Sequence, residues 1–365
     1  MFAVHRQADS EVLKTFDAHP IIPRARVERG WRSRVPGFRY ISFLLHNLML
    51  FRCLARHLRE RGGYDYIVFP TAFMHHVIGA YLLQVALPAR APRVVLFFVQ
   101  PCTVWPNGRP APIPDETAPV LRMELRLLRN LVRQRRTVLA TETQRAQREY
   151  HELGGLPVAL WPHPVSGGPV KPHLLVGSRA VFGSFGFARH EKGSDMLAEA
   201  VERCLADERF ASARFVLQWG EDYTDARGRR ITLSNRVRTD PRVRIIDSPL
   251  DEQRYSEMLD SVSALILPYR RSSYYARLSR VSIEAACRGI PIIATPQTHL
   301  AWVIDEMGAG LLMEGETADH LVAAMARFLG CAPQLTAQAA ARAPRARRYF
   351  SPETFMETMI RSFDA

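Results

Sequence analysis

At 365 residues the chain is too long for one small core and suits two α/β domains. An apolar fraction of 47 % excludes wholesale disorder, and five cysteines without paired spacing exclude a disulfide scaffold and point to a reducing compartment. The formal charge of +13 is lopsided, +11 through Val165 and +2 beyond it. This suits a nucleic acid, an anionic membrane or an anionic acceptor as partner, or simply an arginine-rich composition, since only Lys14, Lys171 and Lys192 are lysines.

The N-terminus has no apolar core of signal-peptide length, and no run reaches membrane-spanning length, so a cytoplasmic protein is expected. Phe38–Gly63 is an apolar helix with Arg52, Arg56, Arg59 and Arg61 near its end. The favoured reading buries it against a sheet, with cations at its C-terminal end and Gly62-Gly63 stopping it. The other rests it on an anionic membrane, at the inner face, as a peripheral contact. Tyr64–Pro70 and Arg93–Val99 are short, continuously apolar and rich in branched or aromatic residues, which predicts strands of a parallel sheet buried on both faces. No Gly-rich loop follows an evident first strand, which leaves room for a strand upstream of Met1. His75 and His76, in a loop beyond Pro70, are candidates to orient an acceptor or to move a proton, or else polar filling. Helical patterns follow at Leu121–Gln134 and Thr143–Leu153. Four prolines and two glycines in Trp161–His173 then interrupt every periodicity and mark a linker.

Beyond the linker, strands are predicted at Ala180–Phe185, Arg214–Trp219, Val243–Ile246, Ala264–Leu267, Ile290–Ala294 and Gly310–Met313. Helices are predicted between them at Ser194–Leu205, Asp251–Ser261, Ser282–Arg288 and Ala318–Leu329. Repeated β-α units mean a parallel, doubly wound sheet. Two such sheets would leave a cleft at the carboxyl ends of their strands, where open α/β sheets bind ligands. The expected division is residues 1–165, then 166–350, with a last helix over 351–365 returning to the first domain.

Two segments carry candidate chemistry. In "VFGSFGFARHEKGSDM", a strand ends near Phe182 and glycines follow at 183 and 186. Arg189 and Lys192 then offer cations to a phosphate, and Ser194 is the expected N-cap of the next helix. Neither the G-x-G-x-x-G fingerprint nor a Walker sequence is present. In "LILPYRRSSYYARLSRVSIEAACRGIPIIAT", a buried strand ends at Pro268-Tyr269 and a helix begins near Arg280–Ser282. Its free N–H groups would be an anion site, with Glu284 one turn inside to accept hydrogen bonds from ribose hydroxyls. With no Asp-x-Asp pair and no His/Cys/carboxylate cluster at ligand spacing, no metal site is expected. Neutralising a bound pyrophosphate would fall to Arg189, Lys192 and helix N-termini.

The order G-x-x-R-x-x-K-G, then a "LPY" strand end, then Y-x-x-R-x-S and "EAACRGIPIIAT" resembles the donor domain of glycosyltransferase family 4, the group 1 glycosyltransferases. "VLATETQRAQREYHELGGLPVALWPHPV" looks like the end of that family's first domain. The resemblance covers roughly Thr137 to Leu329. It implies a GT-B fold: α/β, with two facing Rossmann-like domains of parallel doubly wound sheets around an interdomain cleft. It also implies a polysaccharide-building hexosyltransferase-like enzyme that uses a nucleotide-diphosphate sugar as donor substrate, with no separate cofactor, without metal and with retention. The acceptor would be a glycan or a lipid-linked sugar. Gly186, Arg189 and Lys192 would take the pyrophosphate, and Tyr274, Arg277, Ser279, Arg280 and Val281 would wrap the distal phosphate and sugar. Glu284 would hold the ribose, and backbone around Ser248 and Leu250 the base. Three positions depart from the family pattern. Ala276 stands where the first of two paired glutamates belongs, Ser279-Arg280 replaces Ser-Gly, and Gln100 occupies the place of a histidine facing the sugar. These departures motivate an alternative, a GT-B-shaped pseudoenzyme or assembly partner. A nucleic-acid binder ranks last, for lack of any recognition motif.

Overall fold

The computed structural model describes residues 2–5, 18–22, 38–61, 64–88, 91–165, 179–225 and 228–364. The chain divides into two units, one of Met1–Thr103, Pro114–Trp161 and Met359–Ala365, the other of Val104–Ile113 and Pro162–Thr358. The Gly62-Gly63 stop and the linker from residue 166 to His173 lie outside the described residues.

In the first unit, strands β1 (Phe2–His5) and β2 (Ala18–Ile22) pair in parallel with each other. Helix α1 (Phe38–Arg61) leads to β3 (Tyr66–Phe69), α2 (Met74–Ala86) and β4 (Arg93–Phe98). Helix α3 (Ala118–Arg133), β5 (Thr137–Thr141), α4 (Gln144–Gly154) and β6 (Ala159–Leu160) follow. Strands β3, β4, β5 and β6 form one parallel sheet in that order. Alternation along β4 explains its unbroken apolar run. Val94, Leu96 and Phe98 join a core with Leu50, Leu83 and Leu125, while Phe97 on the opposite face stacks on Trp161. The chain's last residues close this unit: Phe363 packs on Tyr66, and Trp161 Nε1 donates to Ser362 Oγ at 3.0 Å.

The second unit runs β7 (Val181–Ser184), α5 (Ser194–Ala206), β8 (Arg214–Gln218), α6 (Asn235–Thr239), β9 (Val243–Ile246) and α7 (Glu252–Asp260). It continues with β10 (Ala264–Leu267), α8 (Arg271–Tyr274), α9 (Arg280–Arg288), β11 (Ile292–Ala294), α10 (His299–Trp302) and β12 (Gly310–Leu312). Helix α11 (Ala318–Tyr349) and helix α12 (Pro352–Asp364) end the chain. The sheet is all parallel in the order β9-β8-β7-β10-β11-β12. Counted within the unit this is the doubly wound order 3-2-1-4-5-6, whose direction reverses between β7 and β10. Phe215, Leu217 and Ile266 enter one core layer while Val216, Leu265 and Leu267 enter the other, so both sheet faces are covered.

Four sequence expectations change. Strand β3 is not buried on both faces, since Tyr66 and Val68 are exposed on one of them. His75 and His76 are not in a loop but in the first turn of α2. Helix α11 runs far past Leu329, through Pro333 and Pro344, because a stripe of buried Leu335, Ala339, Ala343 and Ala346 continues its packed face. The face of α1 formed by Ile41, Leu44, Leu45, Leu48 and Met49 is not buried; those side chains are 37–58 % exposed. Among the described residues no helix is long and apolar enough to cross a membrane.

Glu124, on the inner face of α3 beside Leu121, Leu125 and Leu128, is fully buried with both carboxyl oxygens unpartnered. Burial pushes its carboxyl up to about 9. The folded chain therefore holds a proton that the unfolded chain has lost, and stability falls as pH rises from the ordinary carboxylate range toward 9. At pH 7 this amounts to on the order of 3 kcal/mol. Glu124→Leu is expected to raise Tm at pH 7–8 and to flatten the Tm–pH curve between about 5 and 9. Thermal melts across that range check it, and a variant that melts no later than the parent at pH 8 refutes it.

Candidate functional site

The strand reversal in the second unit sets two loops side by side at the carboxyl ends of β7 and β10. After β7 the backbone takes a left-handed turn at Gly186 (φ +89°), where a Cβ would lie 2.2 Å from Lys192 Nζ. The ammonium group thus lies directly on bare backbone. A 3₁₀ turn, His190–Lys192, ends at Gly193 (φ +65°), where a Cβ would lie 2.0 Å from the carbonyl oxygen of Pro268. Glycine lets this loop close onto the end of β10. Gly193, not Ser194, is the N-cap of α5; Ser194 is the first helical residue, and its Oγ accepts the Arg189 N–H at 3.0 Å. Arg270, just beyond β10, clamps the loop by donating to the His190 carbonyl and to Asp195.

Cations gather at this junction. Lys192 Nζ stands 5.9 Å from the centre of the buried Tyr269 ring, and Arg277 Cζ stands 5.4 Å from that of Tyr274. Burial, then the neighbouring Arg189 and also Arg277, bring the Lys192 ammonium down to about 8, against a smaller opposing pull from Glu191. Three positive side chains therefore act on one small volume.

Helix α9 begins beside them. Its N-cap, Ser279, makes no side-chain capping bond, and its hydroxyl is shared with Tyr269. Ser282 turns its Oγ back to the Ser279 carbonyl at 2.7 Å. The first-turn N–H groups of Arg280 and Val281 thus face outward without a side-chain cap. Glu284 is buried and held at both oxygens: Arg280 Nε donates to Oε1 at 2.8 Å and the Tyr255 hydroxyl to Oε2 at 2.5 Å. Arg280 answers the Glu284 charge, which a Ser-Gly helix start would not do.

A cavity of about 600 Å³ opens here, lined by the expected Gly186, Leu250, Arg280, Val281 and Glu284. Gln218, Tyr255 and Arg288 also line it, and the sequence reading missed all three. Gln218 joins two loops: its Oε1 accepts the Gly186 N–H at 2.6 Å and its Nε2 donates to the Ser248 carbonyl at 3.1 Å. Ser248 is therefore tied to the site through its backbone without lining the cavity. Arg189, Lys192, Tyr274, Arg277 and Ser279 form the cationic patch rather than the cavity wall. Ala276, eight positions before Glu284, is sealed in an apolar cluster with Tyr275 and Trp105, and Arg271 lies over the Trp105 ring at 4.7 Å.

In the first unit, Gln100 follows β4 and its carbonyl accepts the Tyr150 hydroxyl at 3.0 Å. His75 and His76 are drawn together with His46 of α1, ring centres 4.2–6.2 Å apart. The expectation of no ligand cluster is thereby corrected: nitrogens of these three residues lie within 4.8 Å of one another. Burial, reinforced by the neighbouring imidazoles, lowers His75 to about 4 and His76 to about 3. Such groups are poorly matched to proton transfer at neutral pH.

Residues 179–330 match the family model described as glycosyl transferases group 1. No curated protein sequence matches the chain significantly. Among solved structures, sucrose-phosphate synthase from Thermosynechococcus elongatus is 15 % identical over 89 % of this chain and 79 % of its own, with a TM-score of 0.61. HepE of Anabaena, solved in complex with UDP and glucose, is 14 % identical over 92 % and 93 %, TM-score 0.56. An α,α-trehalose-phosphate synthase (UDP-forming) from Burkholderia vietnamiensis is 14 % identical over 93 % and 82 %, TM-score 0.61. At these identities the likeness establishes the fold, two Rossmann-like domains of GT-B type.

Because the folded Lys192 releases its proton near 8 and an unfolded lysine does so only above 10, holding it charged at pH 7 destabilises the fold. The penalty is on the order of 2–3 kcal/mol and fades as pH rises from 8. An anion in the patch relieves it. Lys192→Met is expected to raise Tm at pH 7 and to abolish stabilisation by inorganic pyrophosphate, while the parent's pyrophosphate affinity falls as pH rises through about 8. Thermal shift and calorimetry test both signs; a variant that is less stable yet still stabilised by pyrophosphate contradicts the assignment.

Proposed function

We propose that this chain, whose residues 179–330 match the group 1 glycosyl transferases, moves a sugar from a nucleotide-diphosphate sugar to a glycan or lipid-linked acceptor, with retention and without a metal on the diphosphate. The observation that carries this reading is the meeting of Arg189, Lys192 and Arg277 with the uncapped start of α9, beside a cavity that Glu284 lines. Cations and amides fixed in advance stabilise negative charge as the sugar–phosphate bond breaks, and they need no reorganisation at that moment. In this reading Glu284, positioned by Arg280 and Tyr255, accepts from the ribose hydroxyls, and the base lies against the segment joined by Gln218. UDP is the first nucleotide to try, since HepE was solved with it. The first unit is assigned to the acceptor and the second to the donor.

The decisive experiment is transfer from a panel of nucleotide-sugars, with the anomeric configuration of the product read by NMR. Glu284→Ala is expected to lower kcat/KM roughly 10²-fold, matching the loss of a hydrogen bond to a charged group, while pyrophosphate still stabilises the variant. A second reading rests on Ala276, whose packing under Trp105 fills the place of the family's first glutamate. If UDP or GDP binds but no nucleotide-sugar turns over, the chain is a binding partner in an assembly.

The exposed apolar stripe of α1, continued by the exposed Arg52, Arg56 and Arg59 on the same side of the helix, supports a peripheral contact with an anionic bilayer. The chain is expected to co-sediment with phosphatidylglycerol vesicles and not with phosphatidylcholine vesicles. Leu45→Glu combined with Met49→Glu should release it, and equal retention by both vesicle types refutes the contact.

A further inference from the structure

We propose that His46, His75 and His76 form a binding site for a divalent cation of the zinc class. The site is built by the crossing of α1 and α2. Asn47 Oδ1 accepts the Gly79 N–H at 2.8 Å, and a Cβ at Gly79 would stand 3.0 Å from the Asn47 carbonyl oxygen, so the helices touch backbone to backbone there. His46 is next to Asn47 in sequence. His75 and His76 lie four and three positions before Gly79, on the helix face that makes the crossing. The close approach that a small residue permits therefore fixes where three imidazoles converge.

Their rings are set edge-on rather than stacked, His46 against His75 at 82° and His75 against His76 at 61°. Phe73 stacks on His75 and Phe69 on His76, holding the ring planes. Nitrogens already within 4.8 Å of one another need small side-chain rotations to reach a cation about 2.0–2.1 Å from each. His46, 9 % exposed, buries Nε2 with no hydrogen-bond partner, an atom that a bound ion would satisfy. His76 Nδ1 accepts the Phe73 N–H at 3.1 Å. On coordination through that lone pair the Phe73 N–H passes to solvent, which makes His76 the weakest of the three ligands. Three neutral imidazoles and no carboxylate select zinc, copper, nickel or cobalt over magnesium or calcium, and leave a fourth position for water or an anionic oxygen.

The test is calorimetric titration of the chelator-treated full chain with Zn²⁺, and with Co²⁺ read by its visible ligand-field band. One equivalent is expected, weakened at least 100-fold by His46→Ala or His75→Ala and less by His76→Ala. His320→Ala, remote in sequence and bonded to Thr317, should leave it unchanged. Should the alanine variants fail to fold, acylation of the parent's histidines followed by mass spectrometry decides, with Zn²⁺ expected to protect His46, His75 and His76. No bound equivalent, an equivalent that survives loss of His46 and His75, or no protection overturns the proposal. Pyrophosphate binding by the second unit is a separate readout, so the two assignments fail independently.

Discussion

An ammonium group pressed onto a bare stretch of main chain organises the second unit of this protein. Lys192 occupies the room that any side chain at position 186 would need, and Gly193 lets the same loop abut the end of β10. The Gly193 contact crosses the point where the strand order reverses, so it joins the ends of the strands between which a doubly wound sheet takes its ligand. Arg270 then fastens the loop from the far side. The result gathers like charges: Arg189 and Arg277 both act on the Lys192 ammonium, opposed in part by Glu191, which stands 3.8 Å from Arg189.

The neighbouring carboxylate is treated in the opposite way. Glu284 has a cation on one oxygen and a phenol on the other, so it is settled before any ligand arrives. A cationic patch thus stands beside an acceptor whose two oxygens are already bonded but keep spare lone pairs. Gln218 keeps the two regions in register by spanning the backbones of the Gly186 and Ser248 loops.

A strand such as β10 was legible because burial on both faces demands an apolar side chain at every position, and it has the predicted limits; the edge strand β9 also has them, although Arg244 faces solvent. Helix ends were harder to read. Ser194 looks like a cap, yet Gly193 holds the turn, and α2 went unseen because Phe73 offers no polar capping side chain and His76 reaches back instead. Helix α11 was expected to stop at Leu329, yet it runs on because the buried alanine seam outweighs the local cost of Pro333 and Pro344. The cations and Glu284 could be named from local order. Their partners could not: Tyr255 is 29 positions from Glu284, and Gln218 is 32 from Gly186. His46 and His75 are likewise too far apart for any spacing motif, and only a helix crossing unites them.

The segment Val104–Ile113 leaves the first sheet's neighbourhood and folds with the second unit, where Trp105 roofs Tyr275 and Ala276. The protein's two halves are therefore not separable at a single peptide bond. A fragment begun at residue 162 would surrender its tryptophan roof and leave an oily spot bare beside the cationic loops. A fragment ended there would carry ten residues whose proper home is missing. Modular exchange between such enzymes has to move Val104–Ile113 with Pro162–Thr358 and leave Met359–Ala365 with the first unit, which takes four cuts in the sequence rather than one.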